Sequence, residues 1–287
     1  MRLIEFSFIL GLTAMEPNSK VRSVGMKNFR VAFFDIDGTL VDNQLPHTLP
    51  FGERIPASAK LALRKLKENQ IEPVIASGRN HQTLAALAEE LGVDSIISSN
   101  GNCVHYQGKI IHQNSIPNDL LKKLIAHLEQ EEIAYLIETA DLIYSYEDEQ
   151  QNEKHPSKKA LLQQSDPLPE NVLQLIVGWN ERTDFKLGID SPLIAEKVAP
   201  VAANIHLKTG TKAEGIHKIC AEMAITADQA LAFGDEENDF TMFDAVGFPV
   251  AMGNAAPALK EKAAHVTAPV SDDGIWKACV ELGLIAE

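Results

Sequence analysis

From Val31 onward, short apolar runs alternate with stretches whose apolar residues recur every three or four positions. "VAFF" reads as a buried strand, and "PASAKLALRKLKENQ" as a helix with its stripe at Ala59, Leu63 and Leu66. "IEPVIAS" is the next strand, "NHQTLAALAEELG" a helix ending at Gly92, and "SIISS" a third strand. The rhythm returns late: "KAEGIHKICAEMA", "DFTMFDAVG" and "APALKEKAA" as helices, "ALAFG" and "FPVAM" as strands. Strict alternation implies right-handed βαβ units and an α/β fold, with a parallel sheet covered on both faces. The middle differs. "CVHYQGKII" looks like a hairpin, "AYLIET" and "LIYSYE" like paired strands, and "NVLQLIVGW" like another strand beyond the polar loop "EDEQQNEKHPSKK". Residues 103–203 are therefore expected to form an α+β module inserted into the parallel domain, which comprises 27–102 and 204–287.

The length of 287 residues suits about two domains. A formal charge of -14 argues against a nucleic-acid or anionic-membrane partner, both of which need clustered Lys and Arg. Any anionic substrate must be held locally, by a metal ion or a few cations. Cys103, Cys220 and Cys279 lie far apart without metal-ligand spacing and read as buried thiols in a reducing compartment. At the N-terminus, Arg2 and a short apolar run resemble a weak secretory signal, but Glu5 interrupts the run and it is too short to span a bilayer. The expectation is an extension over residues 1–26, disordered or from an upstream start, on a cytoplasmic protein.

Ligands of open α/β sheets bind beyond the carboxyl ends of the strands, and four polar clusters fall there. Asp35 and Asp37 follow "VAFF", with Gly38 and Thr39 next; Ser77, Gly78 and Arg79 follow "PVIA". Lys212 opens a helix, and Asp235, Asn238 and Asp239 follow "ALAF". Several carboxylates in one crevice would raise one another's pKa and destabilise the fold. A hard divalent cation removes that problem, and Mg²⁺ suits a few carboxylates together with waters and a phosphate. Lys212, Arg79, Ser77 and backbone N–H groups at helix starts would serve phosphate oxygens. A carboxylate beside the metal can attack phosphorus, and a second one two residues on can move the proton.

These motifs resemble those of the haloacid dehalogenase superfamily, in its phosphatase branch. "DIDGTL" is similar to the family's DxDGT[LV] motif, "ASGR" to its second motif, "TKAEG" to its lysine motif and "GDEENDF" to its GDxxND motif. An insert between the second and third motifs resembles the Cof-like sugar-phosphate phosphatases, as does the ending "FPVAMGNAAPALKEKAAHVTAPVSDDGIWKA". The resemblance implies a Rossmann-like doubly wound core with an inserted α+β cap, and Mg²⁺-dependent hydrolysis of a small phosphorylated metabolite, such as a sugar phosphate, through an aspartyl-phosphate. It makes Asp35 the nucleophile and Asp37 the general acid/base. Asp35, the Asp37 carbonyl and Asp235 would be metal ligands, with Asp239 in or just behind that set. Ser77 and Lys212 would hold the phosphoryl group, with Thr39 and Asn238 assisting and Arg79 a candidate substrate contact. Two departures stand out: Glu236 where many relatives have Gly, and "AEG" after Lys212.

Taken singly, Ser77 is a helix cap and Asp239 an ordinary residue at a helix start; only the set gives them chemistry. His81, His105 and His217 form no HxH or HExxH spacing and read as surface or packing residues, and Trp179 and Trp276 as core or interface. A phosphomutase is the second enzyme reading, although it must grip a bisphosphate and the insert holds one arginine, Arg182. Asp37 disfavours a dehalogenase. A binding module that kept the fold is the non-enzymatic reading.

Overall fold

The computed structural model describes residues 28–146, 159–163, 166–179 and 191–287; the N-terminal extension, nearly all of the polar loop and Arg182 lie outside them. In chain order the first half runs β1 (Val31–Phe34), α1 (Ala57–Glu68), β2 (Glu72–Ala76), α2 (His81–Leu91), β3 (Ser95–Ser98), β4 (Cys103–Tyr106), β5 (Lys109–Gln113) and α3 (Asn118–Gln130). Next come β6 (Tyr135–Glu138), β7 (Ile143–Ser145), β8 (Lys159–Leu161), β9 (Gln174–Gly178), β10 (Leu193–Ala199) and β11 (Ala202–Leu207). The chain closes with α4 (Lys212–Glu222), β12 (Ala230–Gly234), α5 (Phe240–Ala245), β13 (Phe248–Ala251), α6 (Pro257–Lys262), β14 (His265–Val266) and α7 (Gly274–Glu281).

The larger sheet has the order β14-β13-β12-β1-β2-β3-β4-β5. Its first six strands are parallel. Every residue of β1, β3 and β12 is buried, as strands covered on both faces must be. From β1 the chain steps outward through β2 to β3, and from β12 it steps the opposite way through β13 to β14. Right-handed crossovers therefore put α1 and α2 on one face and α5 and α6 on the other. Accordingly α1 packs against α2 and α7, and α4 against α5. The direction reverses between β1 and β12, and the Phe34 and Phe233 rings stack across that seam at 4.8 Å. Sequence signals at the helix ends work as expected: Asn80 accepts a hydrogen bond from Thr83 N to cap α2, and Gly92 closes it in the left-handed region.

The second sheet has the order β10-β11-β9-β6-β7-β8 and is mainly antiparallel. Its apolar face packs on α3, where Leu121, Leu124, Ile125 and Leu128 meet Ile137, Leu175, Val177 and Ile205. Burying such a side chain stabilises by roughly 1.5–3 kcal/mol. Helix α3 is absent from the strand-dominated reading of the middle, although its leucines and isoleucine recur at helical spacing. The expected insert boundaries also move. The hairpin β4–β5 joins the larger sheet through antiparallel pairing of β4 with β3, where Val104, opposite Ile97, continues the buried apolar face of β3. At the other end β11 reaches Leu207 and pairs with β9 and β10, so residues 204–207 belong to the second sheet.

The two sheets meet the start of α4 at a tight turn. Gly101 has φ +88°, and a Cβ there would lie 2.0 Å from the carbonyl oxygen of Thr211, the cap of α4. Gly108 also has positive φ, +74°, but open space around it. Gly101→Ala should therefore lower stability by roughly 1–3 kcal/mol, and by more than Gly108→Ala. Urea denaturation midpoints at constant m measure both; equal losses would contradict the close approach.

Candidate active site

The site forms where the direction of winding reverses, at the carboxyl ends of β1 and β12, the place where open α/β sheets bind ligands. Asp35 follows β1 and its N–H donates to Phe233 O at 3.1 Å, which stitches it to β12. Ile36 turns into the core, fully buried, and so sends Asp35 and Asp37 to the opposite side of the chain. The loop then closes on itself through Gly38 N to Val41 O at 2.9 Å and Val41 N to Ile36 O at 2.8 Å. Gly38 has φ +87°, and a Cβ there would lie 2.0 Å from Asp235 Oδ2. Only glycine lets the first acidic loop approach the second this closely. Thr39 Oγ1 completes the junction by donating to Asp235 Oδ1 at 2.8 Å.

Asp35, Asp235 and Asp239 are all buried, and one carboxylate oxygen from each lies within 4.8 Å of the others. Lys212 Nζ donates to Asp35 Oδ1 at 2.5 Å and to Asp239 Oδ1 at 2.7 Å. One ammonium against three carboxylates leaves an excess of negative charge. Burial pushes Asp35 up to about 7, against the pull of Lys212 and with a further push from Asp239. Burial likewise pushes Asp235 up to about 7, opposed by the Thr39 hydrogen bond. For Lys212, burial works against the charge, but Asp239 and Asp35 outweigh it and hold the ammonium above the ordinary lysine value. The donor set consists of hard carboxylate oxygens, without the histidine or thiolate that softer metals favour, so it fits Mg²⁺.

Among the residues expected from the motifs, Asp35, Thr39, Lys212, Asp235 and Asp239 are brought into one cluster. Asp239 uses both oxygens within the protein: Oδ1 takes Lys212, and Oδ2 accepts from Asp235 N at 2.9 Å and Glu236 N at 3.3 Å. It is thus first a support for Lys212 and the β12 loop. Asp37 lies at the rim, and Arg79 clasps it with Nε and Nη2 at 2.9–3.0 Å. The Arg79 guanidinium also lies 4.7 Å from the centre of the Phe51 ring. Arg79, expected to meet substrate, is therefore engaged with Asp37. Ser77 is buried, its hydroxyl accepting from Arg79 N at 3.2 Å. Asn238 is not brought into the cluster: it is exposed on the turn after β12, because that turn points Asp239 inward and its predecessors outward. Glu236 is exposed by the same geometry, which keeps its extra charge in solvent.

Asn254 is the residue that the motif reading omits. Its Nδ2 donates to Gly38 O at 2.8 Å and approaches Asp235 Oδ2 at 3.4 Å, while its Oδ1 accepts from Val270 N at 3.0 Å. It ties both acidic loops to the chain after β13. The signal was present: "AMGN" places a polar side chain just past the strand beside β12.

Comparison with known proteins matches residues 32–279 to the haloacid dehalogenase-like hydrolases. A Bacillus subtilis protein, YkrA, whose name assigns it provisionally to the phosphatases, is 30% identical over 261 residues, covering 89% of this chain and 98% of YkrA. Among solved structures, a hypothetical protein of Geobacillus kaustophilus superposes with a TM-score of 0.76 at 26% identity, covering 90% of this chain and all of the other. The subclass IIB sugar phosphatase BT4131 superposes with a TM-score of 0.71 at 26% identity, over 89% of this chain and all of that one. The chain belongs to the haloacid dehalogenase-like hydrolases, as an enzyme of the Cof-like phosphatase branch.

Proposed function

We propose that the enzyme hydrolyses a small phosphate monoester in a Mg²⁺-dependent reaction, with Asp35 as nucleophile. The observation that carries this reading is the buried Asp35 carboxylate, paired with Lys212 and facing Asp235 at the junction of β1 and β12. One Asp35 oxygen attacks phosphorus and the bond to the ester oxygen breaks. Asp37, two residues on and at the rim, lets go of Arg79 and enters the reaction protonated; it gives that proton to the departing oxygen, then takes one from water as that water attacks phosphorus. Inorganic phosphate leaves and the Asp35 carboxylate is restored. Lys212 stabilises Asp35 as an anion before attack, and Ser77 with the N–H groups near it would receive phosphoryl oxygens. Asp35, Asp235 and the Asp37 carbonyl, with Asp239 behind them, would hold Mg²⁺, which supplies the charge neutralisation that lets a carboxylate approach a phosphate dianion.

The second sheet serves as a cap over this crevice. In support, Ser99 Oγ donates to Glu138 at 2.6 Å and Asn100 Nδ2 to Glu196 at 3.0 Å, linking that sheet to the turn after β3. A reducing, cytoplasmic setting suits three buried thiols that form no disulfide. No helix among the described residues is long and apolar enough to cross a membrane.

Hydrolysis of phenyl phosphate in the presence and absence of Mg²⁺ tests the reaction. Asp35→Asn should abolish turnover, and Asp37→Asn should lower kcat by roughly 10²–10⁴-fold. An Asp35→Asn enzyme as active as the parent would overturn the assignment.

The raised Asp35 and Asp235 pKa values also fix a pH dependence. Both groups bind protons more tightly folded than unfolded, so without metal their contribution is fully present below about pH 4 and is lost as pH rises through about 7. A divalent cation competes with those protons. Mg²⁺ should therefore raise Tm by several degrees at pH 8 and by much less at pH 5, as read by scanning calorimetry. A Tm indifferent to Mg²⁺ at pH 8 contradicts the metal site.

A further inference from the structure

Asn254 stands where several chain segments cross. The turn that carries it leaves β13 and wraps the end of β12: Met252 N donates to Gly234 O at 3.0 Å, and Ala256 N to Asp235 O at 2.8 Å. Gly253 N donates to Ala268 O at 3.1 Å, which fastens the same turn to the chain after β14. The Asn254 side chain continues this pattern. Its Nδ2 faces two acceptors, Gly38 O at 2.8 Å and Asp235 Oδ2 at 3.4 Å, and its Oδ1 faces one donor, Val270 N, at 3.0 Å. Turning the amide over would set oxygen against oxygen on one side and N–H against N–H on the other. The network therefore fixes its orientation.

Both Nδ2 contacts fall on the acidic loops. Gly38 is the permissive residue of the first loop, at φ +87°. Its N–H donates to Val41 O at 2.9 Å and its carbonyl accepts from Asn254, so both peptides that flank it are held, including the one that carries the Asp37 carbonyl. Asp235, in the second loop, is held on each carboxylate oxygen: Oδ1 accepts from Thr39 Oγ1 at 2.8 Å, and Oδ2 from Asn254. One side chain thus spans the two loops whose oxygens the metal reading uses, with Val270 N anchoring it from behind. The amide is neutral. An ammonium in its place would repel a cation, whereas an amide donor orders the carboxylate and adds no competing charge.

We infer that Asn254 is a positioning residue for the cation site. It holds Gly38 and Asp235 at one separation, so their oxygens need little further ordering when Mg²⁺ binds. This rests on the Mg²⁺-dependent phosphatase reading above.

Titration calorimetry of the metal-free full chain with magnesium chloride at pH 8 tests the inference, together with Tm in Mg²⁺ and in EDTA. Asn254→Ala should raise Kd for Mg²⁺ by about 10–100-fold, the loss typical when a group that orients a metal ligand is removed, and should shrink the Mg²⁺-induced rise in Tm. Asn254 is exposed, so its truncation opens no buried cavity, and Tm in EDTA should fall by no more than about 4 °C. The Mg²⁺ concentration that gives half-maximal hydrolysis of phenyl phosphate should rise by the same factor as Kd. An unchanged Kd overturns this inference alone, and so does a Tm that falls equally in Mg²⁺ and in EDTA, which is the mark of a fold contact and nothing more. A parent enzyme that binds Mg²⁺ without hydrolysing phenyl phosphate overturns the phosphatase reading and leaves the two Kd values to decide this one. A parent that binds no Mg²⁺ overturns both.

Discussion

The ammonium group of Lys212, 2% exposed, sits between Asp35 and Asp239 and is, among the described residues, the one positive charge inside the buried acidic cluster. Charges this deep are tolerated only when paired, and removing one partner of a buried pair typically costs about 3–5 kcal/mol. Lys212 favours the charged form of Asp35 against the effect of burial, and it fixes Asp239, whose other oxygen shapes the β12 loop. It cannot satisfy three carboxylates. The remaining negative charge is what a cation would neutralise, so one electrostatic deficit underlies both the proposed metal site and the proposed nucleophile.

The topology makes that cluster possible. Asp35 and Asp235 belong to strands that are neighbours in the sheet although the residues are far apart in sequence, and the chain between them supplies the entire second sheet. Lys212 arrives on the first residue of α4, directly after the chain leaves the second sheet. Its position depends on Thr211, which caps α4 by accepting from Glu214 N at 3.2 Å, and on Gly101, which abuts the Thr211 carbonyl. The turn that carries Gly101 also carries Ser99 and Asn100, the residues that meet the second sheet. Asp35, Lys212 and the second sheet are thus registered against one another through a few contacts.

The parallel core was legible because its signals are local. Buried runs such as "VAFF" and "ALAFG" and the stripe of α1 each follow from periodicity alone. The acidic cluster was legible because its members sit at strand ends in recognisable order. Other features depend on tertiary placement. The direction in which a short turn points its side chains separates buried Asp239 from exposed Asn238, and adjacent positions in a polar run do not reveal it. Arg79 could serve any anion; only the fold shows it clasping Asp37. The hairpin β4–β5 has the same pattern in either sheet, so its partner strand is decided by packing. Asn254 is a lone polar residue whose value comes entirely from the two loops it joins.

Attack by Asp35 on phosphorus is tested most directly by acid-quenching the enzyme during turnover of phenyl phosphate with Mg²⁺ and mapping its peptides by mass spectrometry. Asp35 should carry one added phosphoryl group that borohydride removes and that is absent from Asp35→Asn. Release of phosphate at full rate with Asp35 unmodified at every quench time, and the label absent or on another residue, would contradict the role assigned to the buried pair.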